Sequence, residues 1–238
     1  MPAEPTAFFV GPTSDIDCYT DFAEGSATLS APDSAFLLVV TVSTLFKEST
    51  CHMRANLPLE KCWKLLNHGP VSLITSAHAG KTNVMAASWV MTLDYNPPKV
   101  LLVLDANSYS RTLVDASGEF GLQIPKRRIA EMTVAVGQSS GRDMDKFDRF
   151  NIRTFPAQTI AAPMLEDCVG WMECKVIPDA TQRYDLFIAE VVASYADSTV
   201  FHDNDWHFGD DPLERTMHYI SNGEFFATGE RFRVPVRQ

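Results

Sequence analysis

A chain of 238 residues, 45% of them hydrophobic, can bury a sizeable core in one large domain or two small ones, and disorder is not its default state. A formal charge of -10 excludes a non-specific nucleic-acid binder, which needs a basic face to neutralise phosphates. The five cysteines include no CxxC pair, which argues against a disulfide framework or a structural zinc, so reduced thiols and a cytoplasmic location are expected.

Residues 1–52 carry seven acids against one base, a net of -6 that leaves -4 for the rest. Rich in Pro, Ser, Thr and Ala and with little periodicity, they predict an acidic, poorly ordered N-terminal extension. Their one apolar run, 35–46, is interrupted by Thr41, Ser43 and Thr44 and falls short of the roughly 18 to 20 residues of a membrane span. It also follows an acidic leader, unlike a secretory signal, so no membrane segment is expected.

An ordered domain, 53–238, is expected to start at Met53. There Leu59, Cys62, Leu65 and Leu66 follow Pro58 at the spacing of a short amphipathic helix over 53–66. A mis-assigned upstream start codon is a hypothesis that follows, and N-terminal sequencing of the native protein that finds residues before Met53 would remove it.

From Val71 onward the chain reads as strands. Residues 71–76 lead to a turn at Ala79 and Gly80, then come 83–93, the stop Asn96-Pro97-Pro98, and 100–104. Short β-rich runs between turn residues favour an antiparallel barrel or sandwich. Helices are predicted over 110–116, 127–137 and 143–150, a long strand over 187–196, and a polar loop with embedded Trp206 over 203–211. No internal repeat occurs, and no G-x-G-x-x-G supports a dinucleotide-binding Rossmann domain.

Two segments carry chemistry. In Thr75–Trp89 a strand turns through Gly80 and returns with small residues at Ala86, Ala87 and Ser88, which let a flat ring approach backbone N–H and C=O groups. After the next strand, Ser108, Ser110, Arg111 and Thr112 fall at a predicted helix N-terminus. Hydroxyls, a guanidinium and free N–H groups there suit a phosphate.

These segments resemble the flavin reductase-like, FMN-binding split-barrel family, and more narrowly its flavoredoxin-like branch, over about residues 55–232. The resemblance rests on G-x-x-N-x-M-x-A-S-W from Gly80, D-x-x-P-P from Asp94, S-x-S-R-T from Ser108, G-E-F-G-L-Q-I-P from Gly118 and S-G-R-D-M-D-K-F from Ser140. The strands 173–176 and 184–192 and the C-terminal G-E-F-F-A-T-G-E-R complete it, in shared order and spacing. It implies a mainly β fold: a six-stranded antiparallel Greek-key split barrel with peripheral helices.

It also implies FMN as cofactor, with Asn83, Met85, Ala86, Ala87, Ser88 and Trp89 along the isoalloxazine and ribityl portion. Ser108, Ser110, Arg111 and Thr112 would hold the phosphate. Lys146 would close the site, at either the ring or the phosphate; near the ring its charge would favour the reduced, anionic form. A homodimer with the flavin near the subunit interface is implied as well.

The residues by themselves leave other readings open. Asn83 can be a turn residue, Trp89 a core residue, and Ser110 with Arg111 and Thr112 an ordinary capped helix beside a solvated arginine. Lys146 lies in a mixed-charge run that reads as a solvated helix face. Cys168 and Cys174, six apart on a predicted strand, are expected on a common face as inert buried thiols, and His218 as a core or interface residue. His202 and His207, near Asp203 and Asp205, lack a third well-spaced ligand, so a polar loop is expected there rather than a metal site.

The function implied is an FMN-binding oxidoreductase. The leading reading is a flavin reductase using NADH or NADPH as a transient co-substrate; the alternatives are an electron-transfer flavoprotein reduced by a redox protein partner and a degenerate split barrel that binds another ligand or only a partner protein. Many NAD(P)H-dependent members have a histidine where this chain has Tyr184 and a glycine where it has Ala189. No side chain is singled out as a general acid or base, since hydride chemistry belongs to the cofactors.

Overall fold

The two-residue turn at Ala79 and Gly80, both at positive φ (48° and 74°), folds the chain back on itself and pairs two strands in strict register, from Ser72 opposite Ala87 to His78 opposite Lys81. The computed structural model describes residues 54–66 and 68–235. The expected acidic extension 1–52 lies outside them.

The strands in chain order are β1 (Arg54–Asn56), β2 (Ser72–His78), β3 (Lys81–Ala87), β4 (Val90–Tyr95), β5 (Pro98–Val103) and β6 (Glu119–Pro125). Next come β7 (Thr154–Phe155), β8 (Met164–Leu165), β9 (Cys168–Val176) and β10 (Leu186–Asp197). The last four are β11 (Phe201–His202), β12 (Asp205–Trp206), β13 (Met217–Ser221) and β14 (Glu224–Ala227). The helices are α1 (Trp63–Leu66), α2 (Tyr109–Ser117), α3 (Ala130–Gln138) and α4 (Lys146–Arg149).

The main sheet is antiparallel and has eight strands, ordered β3-β2-β6-β9-β10-β5-β4, with β1 on the far half of β10. Its two end strands, β3 and β4, are consecutive in the chain. Only Ser88 and Trp89 separate them, so the sheet curls round and its ends meet at a bend: a split barrel.

Six strands were expected, and the difference has two sources. The 83–93 run bends at Ser88 into β3 and β4. The segment before Pro58, expected as part of a helix, pairs instead with β10, whose twelve residues extend past β5 and leave an edge to fill.

Alternating side chains build two cores. Ile74, Leu102, Phe120, Leu122, Met172 and Phe187 are fully buried inside the barrel. Leu73, Val84, Trp171 and Tyr195 point outward, beneath α3 and the 147–165 segment. With both faces covered, each large apolar side chain adds about 1.5–3 kcal/mol of burial.

A β-bulge corrects the reading of the cysteines. Ile124 faces Gly170 and Pro125 faces Cys168, so Val169 is an extra residue that shifts the alternation by one. Cys168 therefore packs in the outer cluster and Cys174 inside the barrel, on opposite faces. Both thiols are buried and pushed well above the usual range by loss of water, so neither is a nucleophile at neutral pH.

The short helix α4 covers only part of the predicted 143–150 helix; the 203–211 loop contains β12, which pairs with β11 as a hairpin. Among the described residues, no helix is long and apolar enough to cross a membrane.

Candidate functional site

Ala86 and Ala87 of β3 and Ser88 just after it line a cleft. One cavity of about 300 Å³ lies between Ala86, Ala87 and Ser88 on one side, Thr133, Gly137 and Gln138 of α3 on another, and Tyr219, Asn222 and Phe225 of the β13–β14 hairpin. A second, of about 250 Å³, shares Ala86 and Gly137 with it and continues past Asn83 and Met85 to Ser108, Ser110, Arg142 and Lys146. Together they form one elongated cleft, with the aromatic rings of Tyr219 and Phe225 at one end and the cations Arg142 and Lys146 at the other. A larger cavity, about 630 Å³, lies between Trp206, His207 and the 228–231 segment, and none of Asn83, Ser108, Ser110 or Lys146 lines it.

The polar end is built by three elements. Helix α2 starts where Ser108, in extended conformation, accepts the Arg111 amide on its Oγ at 3.1 Å. Asn83 of β3 is buried, and its Nδ2 donates to Ser110 Oγ at 2.8 Å. Its Oδ1 is buried with no partner. Gly141 permits this close approach, because a Cβ there would sit 2.3 Å from that Oδ1 and 2.7 Å from the Tyr109 ring.

Lys146 is buried rather than on a solvated face. Its Nζ donates to the carbonyls of Val84 and Val136, at 2.8 and 2.7 Å, which leaves one ammonium proton uncommitted. Burial lowers its pKa to about 8. Among the described residues, no carboxylate lines this end of the cleft.

Arg142 was not singled out from the sequence. Its guanidinium lines the cleft, donates to Asn107 O at 2.8 Å, and sits 5.6 Å from the centre of the Tyr109 ring. The S-G-R-D run contained it, but mixed charge hid it there, and only Gly141 beside it hinted at a close approach.

Three expected site residues lie off the cleft. Arg111 turns away: its guanidinium donates to Asp115, Asp185, Leu104 O and Gln182 O and covers the Phe187 ring at 4.4 Å. A side chain so committed ties α2 to the start of β10, with four of its five N–H donors spent on these partners. Thr112 accepts from Arg142 at 3.5 Å and does not line the cleft. Trp89 is 72% exposed, on the outward side of the β3–β4 bend, because that bend reverses the alternation that would have pointed it inward.

Tyr184 and Ala189 do not line the cleft either. Tyr184 ends a 3-10 turn before β10, and Ala189 is buried inside the barrel between Val100 and Val176. Neither substitution therefore alters the cleft lining.

The residues at the polar end fit a phosphate-bearing ligand. They offer two cations, several hydroxyls, a buried unpaired amide oxygen and a glycine where a side chain would block the way.

Comparison with known proteins bears on the family and the fold. Residues 66–213 match the family model of the flavin reductase like domain. The chain is 40% identical to YddH of Escherichia coli K12, an uncharacterized protein, over 173 residues, 71% of this chain and 91% of that one. It is similar to the FMN-binding domain of a flavin reductases-like enzyme from Shewanella baltica OS155, with a TM-score of 0.74 and 38% identity over 76% of this chain and 97% of that one. Flavoredoxin of Desulfovibrio vulgaris (Miyazaki F) shares the fold, with a TM-score of 0.62 and 23% identity over 70% and 90% of the two chains. With its split barrel, its two-part cleft and a family match over most of the described residues, this chain belongs to the flavin reductase like domain family.

Proposed function

We propose that the cleft holds FMN and that the chain is an FMN-dependent oxidoreductase. The observation that carries this reading is a cleft end with two cations and no carboxylate, in a chain whose net charge is -10. In this reading Arg142, Lys146, Ser108, Ser110 and the first amides of α2, which lack intrahelical acceptors, take the phosphate. Asn83 Oδ1 accepts from a ribityl hydroxyl, and Met85, Ala86, Ala87 and Ser88 lie under the ring. Bound FMN would supply hydride and single-electron transfer. The protein's part is to position the ring against its partner and to exclude water with α3 and the β13–β14 hairpin.

NADH or NADPH is the proposed reductant. The cheap test is the absorbance spectrum of the purified protein, with and without added FMN, followed by anaerobic NADH and NADPH. Flavin bands that bleach rapidly support the reductase. Flavin bands that persist support a carrier reduced by a redox protein partner, and no flavin binding at all ends the proposal.

A homodimer is part of the same reading. Trp89, Met91, Leu93 and Tyr95 stand exposed at alternate positions along the end strand β4 and the bend before it. A contiguous apolar stripe of this kind is the signature of a surface that another chain covers. Sedimentation of Met91→Glu/Leu93→Glu is expected to give a monomer where the native chain gives a dimer.

The charge on Lys146 predicts a pH dependence. Below about pH 8 the amine is protonated and attracts the phosphate; above it the free amine offers no charge. The Kd for FMN is expected to rise by up to about tenfold per pH unit above that point, until the raised pKa of the complex is passed. Fluorescence titration at several pH values should show this rise in the native chain and a flat profile in Lys146→Met.

A further inference from the structure

We propose that the β11–β12 hairpin carries a second, independent site, for a divalent transition metal of the zinc type, formed by His202, Asp203 and His207. Each offers one donor atom, and the three lie within 4.8 Å of one another. They are gathered by the turn: Asp203 and Asn204, at φ 52° and 59°, reverse the chain in two residues. The His207 amide is pinned to Val200 O at 2.8 Å, which sets the two imidazoles face to face, 3.9 Å apart and 8° from parallel.

Two observations point to a ligand. Nε2 of His207 is buried with no hydrogen-bond partner, a costly state for an imidazole nitrogen. Asp203, 90% exposed, meets His202 Nδ1 at 3.1 Å, and among the described residues it pairs with no lysine or arginine. The nearby carboxylate of Asp205 is committed elsewhere, to Arg231 at 2.6 Å, so the set is two imidazoles and one carboxylate.

That set selects the metal. Imidazole nitrogens with one carboxylate suit zinc, nickel, cobalt or copper, whereas calcium and magnesium want oxygen alone. Bonds of about 2.0–2.1 Å require donors roughly 3.3 Å apart. The exposed His202 and Asp203 reach this by rotation, and the rotation also tilts the stacked rings so that their in-plane lone pairs converge. Three protein donors leave one tetrahedral position for water, as in exchangeable rather than closed zinc sites.

The test is calorimetric titration of zinc chloride into the full chain, freed of metal by chelator, beside His202→Ala, Asp203→Asn and His207→Ala. One zinc per chain, with affinity reduced at least tenfold in both histidine variants, is the expected result. Titration with cobalt reads the ligands directly: four-coordinate visible bands without a thiolate charge-transfer band are expected. No saturable binding, unchanged affinity in the histidine variants, or a thiolate band would overturn the proposal. FMN plays no part in either readout.

Discussion

Arg142→Ala is expected to raise the Kd for FMN by about 10- to 100-fold while leaving the melting temperature close to that of the native chain, and Arg111→Ala is expected to do the reverse. Arg111 lies in the first turn of α2 and Arg142 packs against the start of that helix from the loop after α3, and the sequence favoured Arg111. The structure gives the two guanidiniums opposite duties. Arg142 lines the cleft and is held by one carbonyl and a long contact to Thr112, so its removal strips a cation from the phosphate end and breaks little else. Arg111 serves two carboxylates and two carbonyls with a side chain only 14% exposed, and it packs on Phe187. Its loss takes the guanidinium donor from Leu104 O, leaves Gln182 O with the Asp185 amide alone, and uncovers Phe187, at a cost of about 2–4 kcal/mol. Fluorescence titration with FMN and thermal unfolding, run on both variants, separate the roles. If Arg111→Ala loses FMN at unchanged stability, the assignment is wrong.

Glu173→Ala should be the most destabilising single change in the sheet, by about 3–5 kcal/mol. The carboxylate is fully buried on the outer side of β9, where it accepts from the amides of Gln158 and Thr159, the Thr159 hydroxyl and the Tyr195 hydroxyl. It therefore anchors the irregular segment that covers the outer core, and its removal leaves four donors unanswered. Burial works to raise its pKa, but these bonds outweigh that and hold the carboxyl below its ordinary value. A carboxyl depressed in the folded state contributes stability above its unfolded pKa of about 4.3 and loses it as pH falls through the folded value. Denaturant unfolding should show the full deficit at neutral pH and a smaller one in acid. A deficit under about 1 kcal/mol at neutral pH would mean that water replaces the carboxylate without loss.

The strand pattern, the turn at Ala79–Gly80 and the helix after Ser108 were legible because each rests on local chemistry: alternation, positive φ and a capping hydroxyl. The small residues Ala86, Ala87 and Ser88 line the cleft. What failed were inferences about direction. Trp89 faces solvent because the chain bends between β3 and β4, and the two cysteines part because one bulge at Val169 inverts the alternation. Periodicity assigns faces only while a strand stays regular.

Lys146 and Arg142 mark the remaining boundary. In sequence they belong to one run of mixed charges, and nothing local distinguishes a buried ammonium from a solvated one. Desolvation and partner choice depend on what packs from elsewhere: here β3 and α3 carbonyls around Lys146, and the α2 entry loop around Arg142. The sequence alone determined the family and the β-rich architecture, since those depend on motifs and alternation among near neighbours along the chain. Only the tertiary structure decided which cation faces the cleft, because burial and hydrogen-bond partners are set by segments tens of residues apart.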